Sequence, residues 1–199
     1  MTTLSFALRP QMAGIGLLAL GTLGLTSTAL AQNTPKLVAA QSEIGFVSKQ
    51  MGVPVEGKFK KFDADIQFDA AKLASSRIAL TIDTGSATIG VRETDAELPK
   101  PVWFGVKQYP QATFQSSSIK ALGGGKYQVL GKLTVKGQAH DVEVPVLLSQ
   151  AGGVTTATGQ FAVKRLALRV GEGEWADTSM VADEVQVKFK LAPSGVGKV

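Results

Sequence analysis

The side chains that carry chemistry are few and scattered. His140 is the single histidine and there is no cysteine, so a zinc site lacks its usual ligands and a thiolate nucleophile is excluded. A Ser-His-Asp triad would rest on that one histidine, which the local pattern places in a hairpin turn, and no G-x-S-x-G elbow occurs. Glu93, Asp95 and Glu97, with Glu172, Glu174 and Asp177, are the carboxylates from which an acid and base pair would have to come. They fall in loops, where charge is ordinarily just solvated. Asp63 and Asp65 have the opening spacing of a calcium loop, but Phe68 stands where such a loop needs glycine and no glutamate closes it. Gly123 to Gly125 precede a strand rather than a helix, so they form a turn and not a phosphate cradle. The chain is expected not to be an enzyme, and to hold no metal and no cofactor.

What positions any site here is a set of strands. Tyr127, Val129, Leu133 and Val135 alternate with Gln128, Lys132, Thr134 and Lys136, and Val142, Val144, Val146 and Leu148 alternate with Asp141, Glu143 and Pro145. The link Gly137 to His140 between them makes a hairpin the simplest reading. The same period of two runs through Ile44 and Phe46, Val53 to Phe59, Phe62 to Phe68, Ile78 to Ile82, Ala112 to Ser116, Ala157 to Val163 and Val185 to Leu191. It lapses between Gly85 and Gln111, where Val91 to Leu98 has the composition of a short helix ended by Pro99 and Pro101. No helix is long enough to cover the apolar strand faces, so they must cover one another in a closed or nearly closed sheet of eight or nine strands, the last pairing with the first. An eight-stranded barrel encloses one small ligand or packs solid.

Phe46, Phe59, Phe62, Phe68, Phe114 and Phe161 fall on the apolar phase of their strands. Rings in that position line an apolar ligand site or simply fill the interior. The adjacent Trp103 and Phe104 either plug the end of the core or gate a cavity. Arg165 is the candidate polar contact near the cavity, with a strand-end ion pair to a loop carboxylate as its other role.

Arg9, the uncharged apolar run Ala13 to Leu25 and the small residues Ala29 and Ala31 have the form of a signal peptide over residues 1–31, cleaved after Ala31. A linker, 32–36, a barrel domain, 37–192, and a tail, 193–199, complete the expected organisation. Loss of Arg9 takes the formal charge from +5 to +4. Lysines spread over outward strand positions, among them Lys132 and Lys136, argue against nucleic acid as a partner and permit only weak attraction to a membrane surface.

One further pattern spans Leu37 to Leu191. Gly52, Val55, Gly57, Phe59 and Phe62 are followed by Asp95 and Leu98, then Trp103, Phe104, Tyr109, Pro110, Thr113 and Phe114. Tyr127, Gly131, Leu133, Thr134, Gly137 and Pro145 continue it, and Phe161 with Arg165 completes it. In order and spacing this resembles the YceI-like family of exported, polyisoprenoid-binding proteins. The resemblance implies an all-β fold, an eight-stranded antiparallel lipocalin-like barrel with a short helical insertion. It also implies a periplasmic protein that carries or sequesters a long-chain isoprenoid, a quinone or polyprenyl lipid. The alternative is a ligand-free structural or stress-related interaction module with a packed barrel. Gln50, Thr94 and Glu97 depart from the family pattern, which bears on the ligand head group. Trp103 and Phe104, taken with the loop Gly173 to Asp177 and its Trp175, resemble the branch that also occurs fused to membrane b-type cytochromes, which implies a quinone ligand and such a cytochrome as a partner.

Overall fold

The fold is described from a computed structural model over residues 36–152 and 154–196. The leader expected over residues 1–31 and all of the linker but Lys36 lie outside the described residues. The strands are β1 Lys36–Leu37, β2 Glu43–Gln50, β3 Val53–Phe59, β4 Phe62–Gln67, β5 Arg77–Asp83, β6 Ala87–Thr88, β7 Gln111–Gly123, β8 Lys126–Val135, β9 Gln138–Ala151, β10 Val154–Lys164, β11 Glu184–Leu191 and β12 Pro193–Ser194. Ten of them form one curled antiparallel sheet in the order β4-β5-β7-β8-β9-β10-β11-β2-β3-β6, and β1 pairs with β12 apart from it. Pro193 and Ser194, expected in the tail, are therefore strand. The helical insertion is the single turn α1, Arg92–Asp95.

The sheet is all-β and antiparallel as expected, but it is neither eight-stranded nor a closed ladder. β4 and β6 are its two free edges. The reason lies at Lys60 and Lys61, which turn the chain from β3 directly into β4 and so join one edge region to the other by a corner. There the backbone bonds leave the ladder: the Lys60 N–H donates to the Ser86 carbonyl at 3.1 Å and the Asp83 N–H to the Lys61 carbonyl at 3.0 Å. Elsewhere the expected pairing of last strand with first is present, with Val187 opposite Phe46 and Phe189 opposite Ile44.

The β8–β9 hairpin turns on Lys136 and Gly137, whose φ values are both positive, 50° and 74°. Two positive φ values define the turn whose twist suits a two-residue hairpin. The turn therefore comes earlier than the sequence pattern placed it, and His140 lies inside β9 opposite Leu133. In β7 the register with β8 shifts between Ser116 and Ser118. This bulge moves the inward phase from Phe114 to Ile119, which breaks the period of two in the sequence.

Three inward glycines shape the interior. A Cβ added at Gly57 would stand 2.2 Å from the Phe46 ring, one at Gly131 2.5 Å from the Phe114 ring, and one at Gly159 2.5 Å from the Phe189 ring. Phe46 and Phe189 are the direct cross-strand partners of Gly57 and Gly159. Each ring thus lies down on the strand beside it instead of standing into the lumen.

At Gly57 the nearest atoms are all at the far end of the Phe46 side chain, whereas at Gly159 the Pro145 carbonyl oxygen is also within 2.3 Å. Gly159→Ala is expected to cost about 1–3 kcal/mol in urea denaturation, as overpacking against fixed backbone does. Gly57→Ala is expected to cost less and to swing the Phe46 ring inward. Equal losses for the two would contradict this assignment.

Candidate functional site

Inside the curl is a cavity of about 230 Å³. Its wall is almost wholly hydrocarbon. Ile44, Phe46, Leu80, Phe114, Val129, Val144, Phe161, Val187 and Phe189 lie on it, contributed by seven strands, with Phe68 just beyond β4. The polar side chains on it are Ser48, Tyr127, Thr155, Arg165 and the indole of Trp103. For scale, an apolar cavity of about 150 Å³ stays dry and takes up benzene.

Of the residues singled out from sequence, Phe46, Phe59, Phe68, Trp103, Phe104, Phe114, Phe161 and Arg165 line this cavity. Phe62 and Trp175 do not. Phe62 opens β4 beside the Lys60–Lys61 corner and packs on the core cluster. Trp175 meets the Trp103 ring at a centroid distance of 5.4 Å, so Trp103 holds the cavity side of that pair. Phe46, Phe59 and Phe104 form a chain of rings, 5.5 and 5.7 Å apart between centroids. The aliphatic wall, Tyr127 and Phe189 were not singled out from sequence, although all of β11's inward positions, Val185, Val187, Phe189 and Leu191, line the space. Their alternation was the available signal. Gln50, Thr94 and Glu97 are absent from the wall; Gln50 bridges to Val181 and Glu97 pairs with Lys100 at 2.6 Å.

The segment between β10 and β11 is tied down by a buried cation. Arg165 is 2% exposed. Its Nε donates to the Ala182 carbonyl at 3.0 Å, Nη1 to Val170 and Gly171 at 3.0 and 2.7 Å, and Nη2 to Trp175 and Val181 at 2.7 and 2.6 Å. A guanidinium has five N–H donors. All are taken by backbone carbonyls, so Arg165 faces the cavity with no donor to spare for a ligand. Burial pushes its pKa below the ordinary arginine value, opposed by the charge of Asp183.

A second cation works beside it. Lys136, expected on an outward strand position, is 5% exposed. Its left-handed backbone turns it under the neighbouring loops, where Nζ donates to the Pro101 carbonyl at 2.7 Å, the Arg169 carbonyl at 2.5 Å and Glu172 Oε2 at 2.9 Å. The Gly171 and Glu172 N–H groups both donate to the Val102 carbonyl, at 2.8 and 3.0 Å. The loop carrying Trp103 and the loop carrying Trp175 are thereby one unit.

Asp95, Glu172 and Asp177 among the loop carboxylates are committed as well. The hydrogen bond from Thr88, then that from the Ile89 N–H, holds Asp95 below the usual carboxylate range. Hydrogen bonds from Arg169 and then Lys136 do the same for Glu172, and Ser179 does so for Asp177. A general acid needs the opposite shift. His140 donates from Nε2 to the Ala167 carbonyl at 2.9 Å. Among the described residues no group of three His, Cys, Asp or Glu side chains is placed to hold a metal ion.

Arg165→Met should lose about 3 kcal/mol or more in urea denaturation, because it strands buried carbonyls, and should raise hydrogen exchange in residues 170–181. Arg165→Lys, with three donors, should restore only part. The depressed carboxylate of Glu172 sets a pH dependence: its contribution is present above the unfolded-state pKa of about 4.3 and is lost as pH falls through the lower folded value. The melting temperature should be level from neutrality to about pH 5 and fall below it, and Glu172→Gln should make that fall shallower.

Several known proteins share this chain's pattern. The YceI-like domain family matches residues 36–192. The crystal structure of Burkholderia cenocepacia BcnA is 50% identical, with a TM-score of 0.76 over 78% of this chain and 98% of that one. A UPF0312 protein of Photorhabdus laumondii is 34% identical over 137 residues, 64% of this chain and 69% of the relative. A polyisoprenoid binding domain from Saccharophagus degradans, implicated in plant cell wall breakdown, shares the fold at 17% identity, with a TM-score of 0.65 over 81% of this chain and 98% of that one. With four-fifths of its length matched, from the first described strand to the end of β11, the chain belongs to the YceI-like family.

Proposed function

We propose that this protein binds, and so carries or sequesters, a long-chain isoprenoid, a quinone or polyprenyl lipid, with the tail inside the curled sheet. The observation that carries the reading is the cavity of about 230 Å³ with a hydrocarbon wall. A space of that kind has few hydrogen bonds to offer, so it discriminates mainly by shape and by removal of apolar surface from water. Each five-carbon unit buries on the order of 100 Å², worth roughly 2–3 kcal/mol at 25 cal/mol per Å². A few units offset the cost of association. The Saccharophagus degradans domain, named for polyisoprenoid binding, supports the same ligand class.

The residues 1–31 pattern supports export, cleavage after Ala31 and a periplasmic site of action. A water-filled compartment is where a lipid of this kind needs a carrier. The hollow interior weighs against the packed interaction module, and Asp95, Glu172 and Asp177, each hydrogen-bonded and held below the usual carboxylate range, weigh against a hydrolase.

Mass spectrometry of an organic extract, from protein purified without detergent, should find a stoichiometric isoprenoid. A clean extract, together with no uptake of added quinone, would overturn the reading. Trp103→Asp places a charge on the cavity wall and should abolish retention; a folded variant with undiminished bound lipid would remove Trp103 from the site.

A further inference from the structure

The cavity wall carries a phenol that the fold itself leaves unused. Tyr127 is 8% exposed and lines the cavity. Its ring is fixed edge-on against Phe68, centroids 5.3 Å apart and planes at 86°. Its hydroxyl makes no hydrogen bond to any described residue. Because no sealed polar side-chain atom among the described residues lacks a partner, that oxygen opens onto free space. A tyrosine hydroxyl in an apolar interior ordinarily finds a partner, and phenylalanine would fill the same volume without the cost of desolvating it.

The other polar wall groups are placed differently. Thr155 Oγ1 accepts a hydrogen bond from Gln150 Nε2 at 2.9 Å, and Arg165 spends all five donors on carbonyls. Tyr127 lies opposite Val146, and Val146 opposite Gly159. Gly159 and Arg165 are six residues apart on the β10 run, roughly 20 Å at the rise of an extended strand. The positive charge and the free hydroxyl therefore sit at opposite ends. Neither end can solvate a phosphate: the cation has no N–H left to give, and one phenol does not replace the water around a dianion.

From this we infer that Tyr127 is the head-group contact of the site, donating its O–H to a carbonyl oxygen of a neutral isoprenoid such as a quinone. This rests on the isoprenoid-binding reading and narrows it: the ligand lies with its head group at the Phe68–Tyr127 end and its tail toward Arg165. A ligand carbonyl there supplies the partner that the hydroxyl lacks, and the hydrocarbon wall does the rest. Ser48, the remaining wall hydroxyl, makes no hydrogen bond to a described residue either, but it is only half-buried and belongs to the end of β2 that bridges to Val181.

The test compares three probes on the wild type, Tyr127→Phe and Ser48→Ala: a short-chain isoprenyl benzoquinone, an isoprenoid hydrocarbon of matching length, and an isoprenyl monophosphate. Tyr127→Phe keeps the ring and its stacking, so it folds. It should weaken quinone binding about three- to tenfold, the worth of one hydrogen bond, and leave hydrocarbon binding unchanged. The infrared carbonyl band of bound quinone, lowered in the wild type, should return toward its value in apolar solvent. Unchanged quinone affinity in Tyr127→Phe, the loss appearing in Ser48→Ala instead, or monophosphate binding as tight as quinone would each overturn the inference while leaving a carrier. A wild type that takes up none of the three would overturn the isoprenoid reading itself.

Discussion

Everything about this interior follows from rings laid across glycine. An antiparallel sheet that curls on itself brings its inward side chains toward one another, and phenylalanines standing upright would fill the space. Gly57, Gly131 and Gly159 remove the side chain beneath a ring, and Phe46, Phe114 and Phe189 lie down into the vacancy. The rings still bury their area against the wall, so the wall keeps much of its stabilisation while the centre stays empty. Packed proteins lose dispersion contacts wherever a void forms. Here that loss is confined to the inner surface of a wall whose own packing is intact.

A hollow sheet has weak ends, and the polar groups of this chain are concentrated where that weakness is managed. The loop from Arg165 to Asp183 has little regular structure of its own, and its carbonyls point inward. One guanidinium satisfies five of these backbone carbonyls, and Lys136 satisfies that of Arg169 together with that of Pro101 in the neighbouring loop while pairing with Glu172. A buried charge without this many partners would be costly. At the opposite end the cover is slighter: β1 and β12 meet over only two residue pairs, supplemented by the Val38 N–H to Ala192 carbonyl bond at 2.9 Å and the Ala192 N–H to Ser42 Oγ bond at 3.0 Å.

Much of this was legible in the sequence because period-two alternation survives wherever one strand face meets hydrocarbon. It located the β8–β9 hairpin, the pairing of β11 with β2 and most of the ring positions on the wall. What it missed has physical causes. The bulge near Ser117 flips the inward phase, so Ile119 could not be assigned from Phe114 by counting. Lys136 continued an outward series in the alternation, yet its positive φ, invisible in the residue type, carries it inward. The corner at Lys60 and Lys61 opens the ladder and draws Phe62 off the cavity, although Phe62 keeps perfect phase. Arg165 was found as the polar residue near the cavity, but the number of carbonyls around it depends on how a loop folds back, and no local pattern encodes that.

The emptiness of the interior is the property least accessible to sequence and most consequential for function. The same list of inward phenylalanines suits a solid core or a hollow one, and only the register decides, because a ring lies flat when its cross-strand neighbour on the same face is glycine. Phe46 opposite Gly57 is fixed across the tight β2–β3 hairpin, whereas Phe189 opposite Gly159 joins two strands separated by the loop from Arg165 to Asp183. Shifting either register by one residue would turn the glycine to the outer face and leave the ring to stand into the lumen. The backbone hydrogen bonds that fix those registers therefore also fix the volume of the site. Because that volume exists before any ligand arrives, a flexible chain entering it brings the ordering cost with it, and the protein contributes a wall that has already lost its freedom in folding.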